Sequence, residues 1–225
     1  MNKTNGRFIL TFAAALALLA GCVVVNPKVF APVQGSGVVK TEVRSVSGFS
    51  QVSLNLVGKL YIERNGSESL SITSDDNILP LIKSEVRNGV LTLSMDGATS
   101  LNKISDLTYR VSVKNLDRLI LDGAAEVLVS ELDSKLLTVN INGAGKITLS
   151  GKAERQDVTF NGVGEYNAQG LESQIVKVAH HGIGKVVVRV SDSLDARIEG
   201  AGVIEYIGNP KVTKVIDSLG SVVQK

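Results

Sequence analysis

Apolar and polar residues alternate along most of this 225-residue chain, and beyond residue 116 glycine interrupts the alternation at a near-constant interval. The six interruptions are Gly123-Ala124-Ala125, Gly143-Ala144-Gly145, Gly162-Val163-Gly164, Gly182-Ile183-Gly184, Gly200-Ala201-Gly202 and Ser218-Leu219-Gly220. Their spacings are 20, 19, 20, 18 and 18 residues. Such a period is too short for a helix-pair repeat and suits one coil of a β-solenoid.

Aligned on the first residue of each interruption, the repeats form columns. Two positions before it stand Leu121, Ile141, Phe160, His180, Ile198 and Ile216; four after it stand Val127, Ile147, Tyr166, Val186, Ile204 and Val222. Both columns are expected to face inward. Asp122, Asn142, Asn161, His181, Glu199 and Asp217 come immediately before the bend and must face out, because side chains alternate faces along a strand. Glu126, Lys146, Glu165 and Lys185 form a further outward column of alternating sign. The glycines have a backbone reason: a coil bends sharply where a Cβ would clash or where φ must be positive.

Upstream, residues 38–43, 51–62, 69–73 and 109–113 alternate at period two, as half-buried strands do. Asp75, Asp76 and Asn77 read as caps for a short turn at residues 78–83, kept short by Pro80. Asn88-Gly89 between two strand-like runs is a hairpin signal. Residues 54–62, Leu-Asn-Leu-Val-Gly-Lys-Leu-Tyr-Ile, repeat the register of the bends and predict a seventh coil. Residues 63–115 then form an inserted or capping subregion, and 116–225 the repeats. The predicted fold is all-β: a single-stranded β-solenoid, a parallel β-helix-like stack of about six to seven coils with a mixed N-terminal capping subregion.

The N-terminus changes the picture of location. Lys3 and Arg7 precede an apolar run over residues 8–19, too short to span a bilayer, which closes on Leu19-Ala20-Gly21-Cys22. This pattern predicts a lipoprotein signal peptide over 1–21, an acyl anchor on Cys22, the sole cysteine, and a flexible tether over 22–36 carrying Pro27 and Pro32. Val23 in place of aspartate after the cysteine favours the outer membrane in a two-membrane host. Cleavage removes Lys3 and Arg7 and leaves 22 basic against 22 acidic residues, so nucleic acid is not an expected partner. One cysteine permits no internal disulfide, and stability must come from burial and backbone pairing.

Val46-Ser47-Gly48-Phe49, the repeated glycine bends and Gly208-Asn209-Pro210-Lys211-Val212 together resemble the head GIN domain family, described as auto-transporter adhesin heads. The resemblance covers residues 37–225. It implies a bacterial cell-envelope lipoprotein with stacked β repeats. The chain departs from the family in placing Ala, Val or Ile where Ser is usual inside the bends.

Candidate chemistry is sparse. His180 and His181 are the two histidines; adjacent on a strand, they point to opposite faces and cannot chelate one metal together. His180 belongs to the core, whereas His181 with Asn161 and Glu199, one rung to either side, forms an outward polar cluster able to hold a ligand. Glu199 and Asp217 on adjacent coils would stand near the ~5 Å of a retaining glycosidase pair, but no aromatic platform accompanies them. The Gly-x-Gly units precede strands and not helices, which excludes a dinucleotide loop, and Asp75-Asp76-Asn77 lacks EF-hand spacing. The reading is a non-catalytic envelope protein with no cofactor or metal, held to the membrane through its acyl anchor and presenting its solenoid to a protein or glycan partner. A carbohydrate-active enzyme using Glu199 and Asp217, and a structural or stress-related envelope component, are the alternatives. The oligomeric state is left open.

Overall fold

The computed structural model describes residues 32–95 and 100–225, so the predicted signal peptide and Cys22 lie outside the described residues. Before the repeats come β1 (Val33–Gln34), β2 (Val39–Arg44), β3 (Gln51–Leu54), β4 (Val57–Arg64), β5 (Ser69–Asp75), β6 (Ile82–Arg87), β7 (Val90–Met95), β8 (Leu101–Asn102) and β9 (Leu107–Val113). The repeats are β10 (Arg118–Leu121), β11 (Ala124–Ile141), β12 (Ala144–Phe160), β13 (Val163–His180), β14 (Ile183–Ile198), β15 (Ala201–Ile207), β16 (Lys211–Ile216) and β17 (Ser221–Gln224).

Each coil lies parallel to the one before it, with the aligned columns in register. Leu54, Leu121, Ile141, Phe160, His180, Ile198 and Ile216 stack on the pre-glycine side. Leu60, Val127, Ile147, Tyr166, Val186, Ile204 and Val222 stack on the other. All are buried except Ile216 on the last coil, and they belong to one continuous core. Burying each large apolar side chain contributes about 1.5–3 kcal/mol, and this repeated gain holds the stack together without disulfides.

The stack makes about five turns, fewer than the six to seven coils expected. Six bends delimit five full turns, and the chain ends after the strand that follows the sixth. The predicted upstream coil is present as a rung, since β4 pairs with β11 from Val57↔Ala124 to Glu63↔Ser130. It is not a turn of the same spiral, because the chain leaves it after Arg64. Beyond that rung β7 pairs with β3 and β9 with β4, both parallel; antiparallel β6, β5 and β2 then extend the two faces. Asn88 and Gly89, both at positive φ, turn the β6–β7 hairpin as expected.

The stack ends abruptly at the other end. The inward column Leu119, Val139, Val158, Val178, Ala196 finishes with Lys214. An inward-facing charge on an edge strand opposes pairing with a further coil.

Asp75, Asp76 and Asn77 do not cap a helix, contrary to expectation. The 3-10 turn Leu79–Leu81 starts at Ile78 with no side-chain cap. The three polar residues instead hold the N-terminal segment, whose backbone donors need partners. Asp75 accepts from the amides of Gly37 and Ser105 and from the Ser105 hydroxyl, Asp76 from Ser36 Oγ at 2.7 Å, and Asn77 from the Ser36 amide at 3.0 Å. The Ser105 amide above all keeps the buried Asp75 carboxyl below its ordinary range, against the opposing effect of burial. Residues 33–36, at the end of the expected tether, are thereby hydrogen-bonded to the body, and β1 pairs with β8.

His180 is fully buried, stacked on Phe160 at 4.8 Å between centroids, with Nε2 3.3 Å from the Gly184 carbonyl and Nδ1 lacking a partner among the described residues. Burial lowers its pKa below the ordinary 6.5. The unfolded chain therefore binds this proton more readily than the folded one. The stabilising contribution is complete above pH 6.5 and is lost as pH falls through the folded value. The urea midpoint is expected to fall between pH 7 and pH 5, and to fall less in His180→Phe. An equal fall in both proteins would show that His180 does not contribute.

Candidate functional site

The outward column before the bends is exposed along its whole length, as expected, but its side chains are already paired. Asn142 Nδ2 donates to Asp122 at 2.7 Å and Asn161 Nδ2 to Asn142 at 2.8 Å, giving an amide ladder on the early coils. On the later coils His181 Nδ1 lies 2.9 Å from Glu199, and Arg197 reaches Glu199 at 2.6 Å and Asp217 at 3.5 Å. The structure brings His181 and Glu199 together. Asn161 turns the other way, toward Asn142.

Arg197 also decides the chemistry of Glu199 and Asp217. It shares the outward face of the strand with Glu199, two residues on, a spacing that was available in the sequence. Partial burial raises the Glu199 carboxyl, but the hydrogen bond with His181 and the charge of Arg197 outweigh it and hold the group below its ordinary 4.5. A glycosidase general acid needs the opposite shift.

The sign-alternating column after the bends is paired in part: Lys146 bridges Glu165 at 3.5 Å, Lys185 reaches outside the column to Glu205 at 2.7 Å, and Glu126 has no hydrogen-bond or ion-pair partner among the described residues. Between these two columns, Val57, Ala124, Ala144, Val163, Ile183 and Ala201 form an exposed stripe in register.

A different arrangement occupies the third side of the coil, midway between bends. Asp133, Lys152, Glu172 and Arg189 stack in register as one wall of a groove. Ser134, Ala153, Ser173 and Val190 stack beside them as its floor. Glu154, Gln174, Ser191 and Asn209 line the opposite side, and the groove encloses about 730 Å³. The floor is made of small side chains, which leaves the concavity open. Behind it lies a buried relay: Gln156 donates to Ser173 Oγ at 2.7 Å and accepts from the Tyr166 hydroxyl at 2.9 Å. With its oxygen used as acceptor, the Ser173 hydroxyl keeps its own hydrogen for a partner. Burial pushes the Tyr166 phenol well up, so it remains a donor at any physiological pH.

The groove differs from both ladders in how its charges are used. Lys152, Glu154 and Glu172 have no hydrogen-bond or ion-pair partner among the described residues. Asp133 is approached by Arg64 at 3.7 Å, and Arg189 spends Nε on the Gln169 carbonyl while its terminal nitrogens remain available. Lys152, Glu172 and Arg189 thus alternate in sign one rung apart with their charged ends not consumed by the fold.

A family model described as "Putative auto-transporter adhesin, head GIN domain" matches residues 48–210. The chain belongs to this family. Among solved structures, this head GIN domain resembles a "putative adhesin" from Bacteroides fragilis NCTC 9343, with a TM-score of 0.71 and 23% identity over 86% of this chain and all of that one. It also resembles a "putative lipid binding protein" from Parabacteroides distasonis ATCC 8503, with a TM-score of 0.52 and 19% identity over 87% of this chain and 100% of that one. A "putative adhesin" from Parabacteroides merdae ATCC 43184 follows, with a TM-score of 0.51 and 20% identity over 86% and 98%. At these identities the likeness concerns the fold. No curated protein matches the chain in sequence. The matched residues include every residue that lines the groove, from Asp133 to Asn209.

Proposed function

We propose that this head GIN domain protein is a lipid-anchored cell-envelope protein that uses the groove on the third side of its solenoid to bind a protein or glycan partner, adhesin-like and without catalysis. The observation that carries the reading is the groove whose Lys152, Glu154 and Glu172 have no hydrogen-bond or ion-pair partner among the described residues. Membership of an adhesin-head family supports a place on the envelope. Cys22, with the segment up to residue 36 behind it, supplies the anchor, and Val23 favours the outer membrane. The salt-bridged, acid-shifted Glu199 argues against the carbohydrate-active alternative with Asp217.

Fractionation and protease shaving of expressing cells test this reading. The wild-type chain is expected in the membrane fraction and to be digested in intact cells, with a periplasmic marker protected, while Cys22→Ser releases it to the soluble fraction. A Cys22→Ser chain that stays in the membrane, or a wild-type chain protected until the envelope is opened, would overturn the anchor or the outward-facing role respectively.

A further inference from the structure

The spacing of the groove charges says what could lie along it. Resting on the reading of the protein as an envelope binder, we infer that the groove takes a linear zwitterionic polysaccharide, one whose sugars carry a carboxylate and an ammonium in alternation. Lys152 and Arg189 stand two rungs apart with Glu172 between them, so like charges recur about every 9.6 Å along the stack. An extended peptide running along the groove repeats same-side side chains about every 6.7 Å and falls out of step after one repeat. A β-linked pyranose chain advances by close to one rung per sugar. Like charges on alternate sugars therefore keep pace with the wall over its full length.

The remaining features fit the same ligand. A purely acidic glycan would meet the unpaired Glu172 and Glu154, and a purely cationic one would meet Lys152 and Arg189. Alternation satisfies both signs, and desolvating a charge opposite its own kind is what the mismatch would cost. The small floor at Ala153 and Ser173 gives room for a ring lying flat. The amides of Gln174 and Asn209 supply partners for sugar hydroxyls. No aromatic residue lines the groove, so recognition runs through charge and hydrogen bonds and not through stacking.

The test uses the purified full chain in detergent micelles at low salt, with three octasaccharides and one peptide as probes. The first is N-deacetylated hyaluronan, which alternates carboxylate and ammonium; the second is fully N-acetylated hyaluronan, with carboxylates alone; the third is chitosan, with an ammonium on every sugar. The peptide alternates Glu and Lys at every second position, with Ser between, so that both signs alternate along one side of the extended chain. The deacetylated hyaluronan is expected to bind at least about tenfold more tightly than any other probe, and Glu172→Lys to weaken it by about tenfold while strengthening the acetylated form. Both proteins should show the same circular dichroism and nearly the same melting temperature, since Glu172 has no hydrogen-bond or ion-pair partner among the described residues. Equal binding of all probes, preference for the peptide, or indifference to Glu172→Lys would overturn the inference. Should no glycan bind while Glu172→Lys still abolishes attachment of cells bearing the protein, the ligand class is wrong and the binding function stands. Should wild-type cells attach no better than cells lacking the chain, the functional reading falls with it.

Discussion

Gly143→Val is expected to lower the unfolding free energy by more than about 4 kcal/mol, whereas Asn142→Ala, one residue away, should change it by less than about 1 kcal/mol. The contrast follows from what each side chain meets. A Cβ at Gly143 runs into the carbonyl oxygen of Gly123 on the coil below, and lies 2.9 Å from the carbonyl carbon of Asp122. Gly123 O is held by the Ala144 amide at 3.0 Å, and Gly143 cannot back away because its N donates to Leu121 O at 3.0 Å and its O accepts from Val163 N at 3.1 Å, tying three coils together. Gly123, Gly162, Gly182 and Gly200 repeat the same close approach, so the bend column is a line of contact between backbones. Gly145 adds a second requirement, a φ of +142°, that no β-branched residue adopts comfortably. Asn142 only exchanges exposed hydrogen bonds with Asp122 and Asn161, which water can replace. Chemical denaturation of the two variants checks this, and similar small losses in both would mean that the bends do not hold the coils in contact.

How far the sequence reaches depends on where the coil keeps its register. Near the bends, backbone contact forces glycine onto fixed positions, so the inward columns from Leu121 to Val222 and the rung at Val57 and Gly58 could be read by alignment alone. Midway between bends that ruler fails. The pairing slips between Val129 and Leu132, between Thr148 and Ser150 and between Ala168 and Glu172. Asp133, Lys152, Glu172 and Arg189 consequently lie 10, 9, 10 and 7 residues after the first glycine of their coils, although they share one column in space. The groove was hidden by these bulges. The polar column at Asn161, His181 and Glu199 was visible because it abuts the glycines, but its internal pairing depends on side-chain directions that spacing does not fix. The capping role assigned to Asp75, Asp76 and Asn77 failed for a related reason: their partners lie about 40 residues away, on a segment with no periodic signal.

In the proposed function attachment runs through the groove, and a charge swap there disturbs the fold least. Lys152→Glu combined with Glu172→Lys leaves net charge and composition unchanged but turns the alternating wall into two negative rungs followed by two positive ones. Because neither native side chain has a hydrogen-bond or ion-pair partner among the described residues, the swap should leave stability within about 0.5 kcal/mol. A partner matched to the native alternation meets like charges at both altered rungs. The direct measurement is attachment of cells displaying the wild-type chain, the swapped chain or Asn142→Ala to a surface coated with the host's own envelope extract, at matched display levels. The swap is expected to reduce attachment by about tenfold or more while Asn142→Ala attaches like wild type; attachment by the swapped chain equal to that of wild type would show that the groove does not carry attachment.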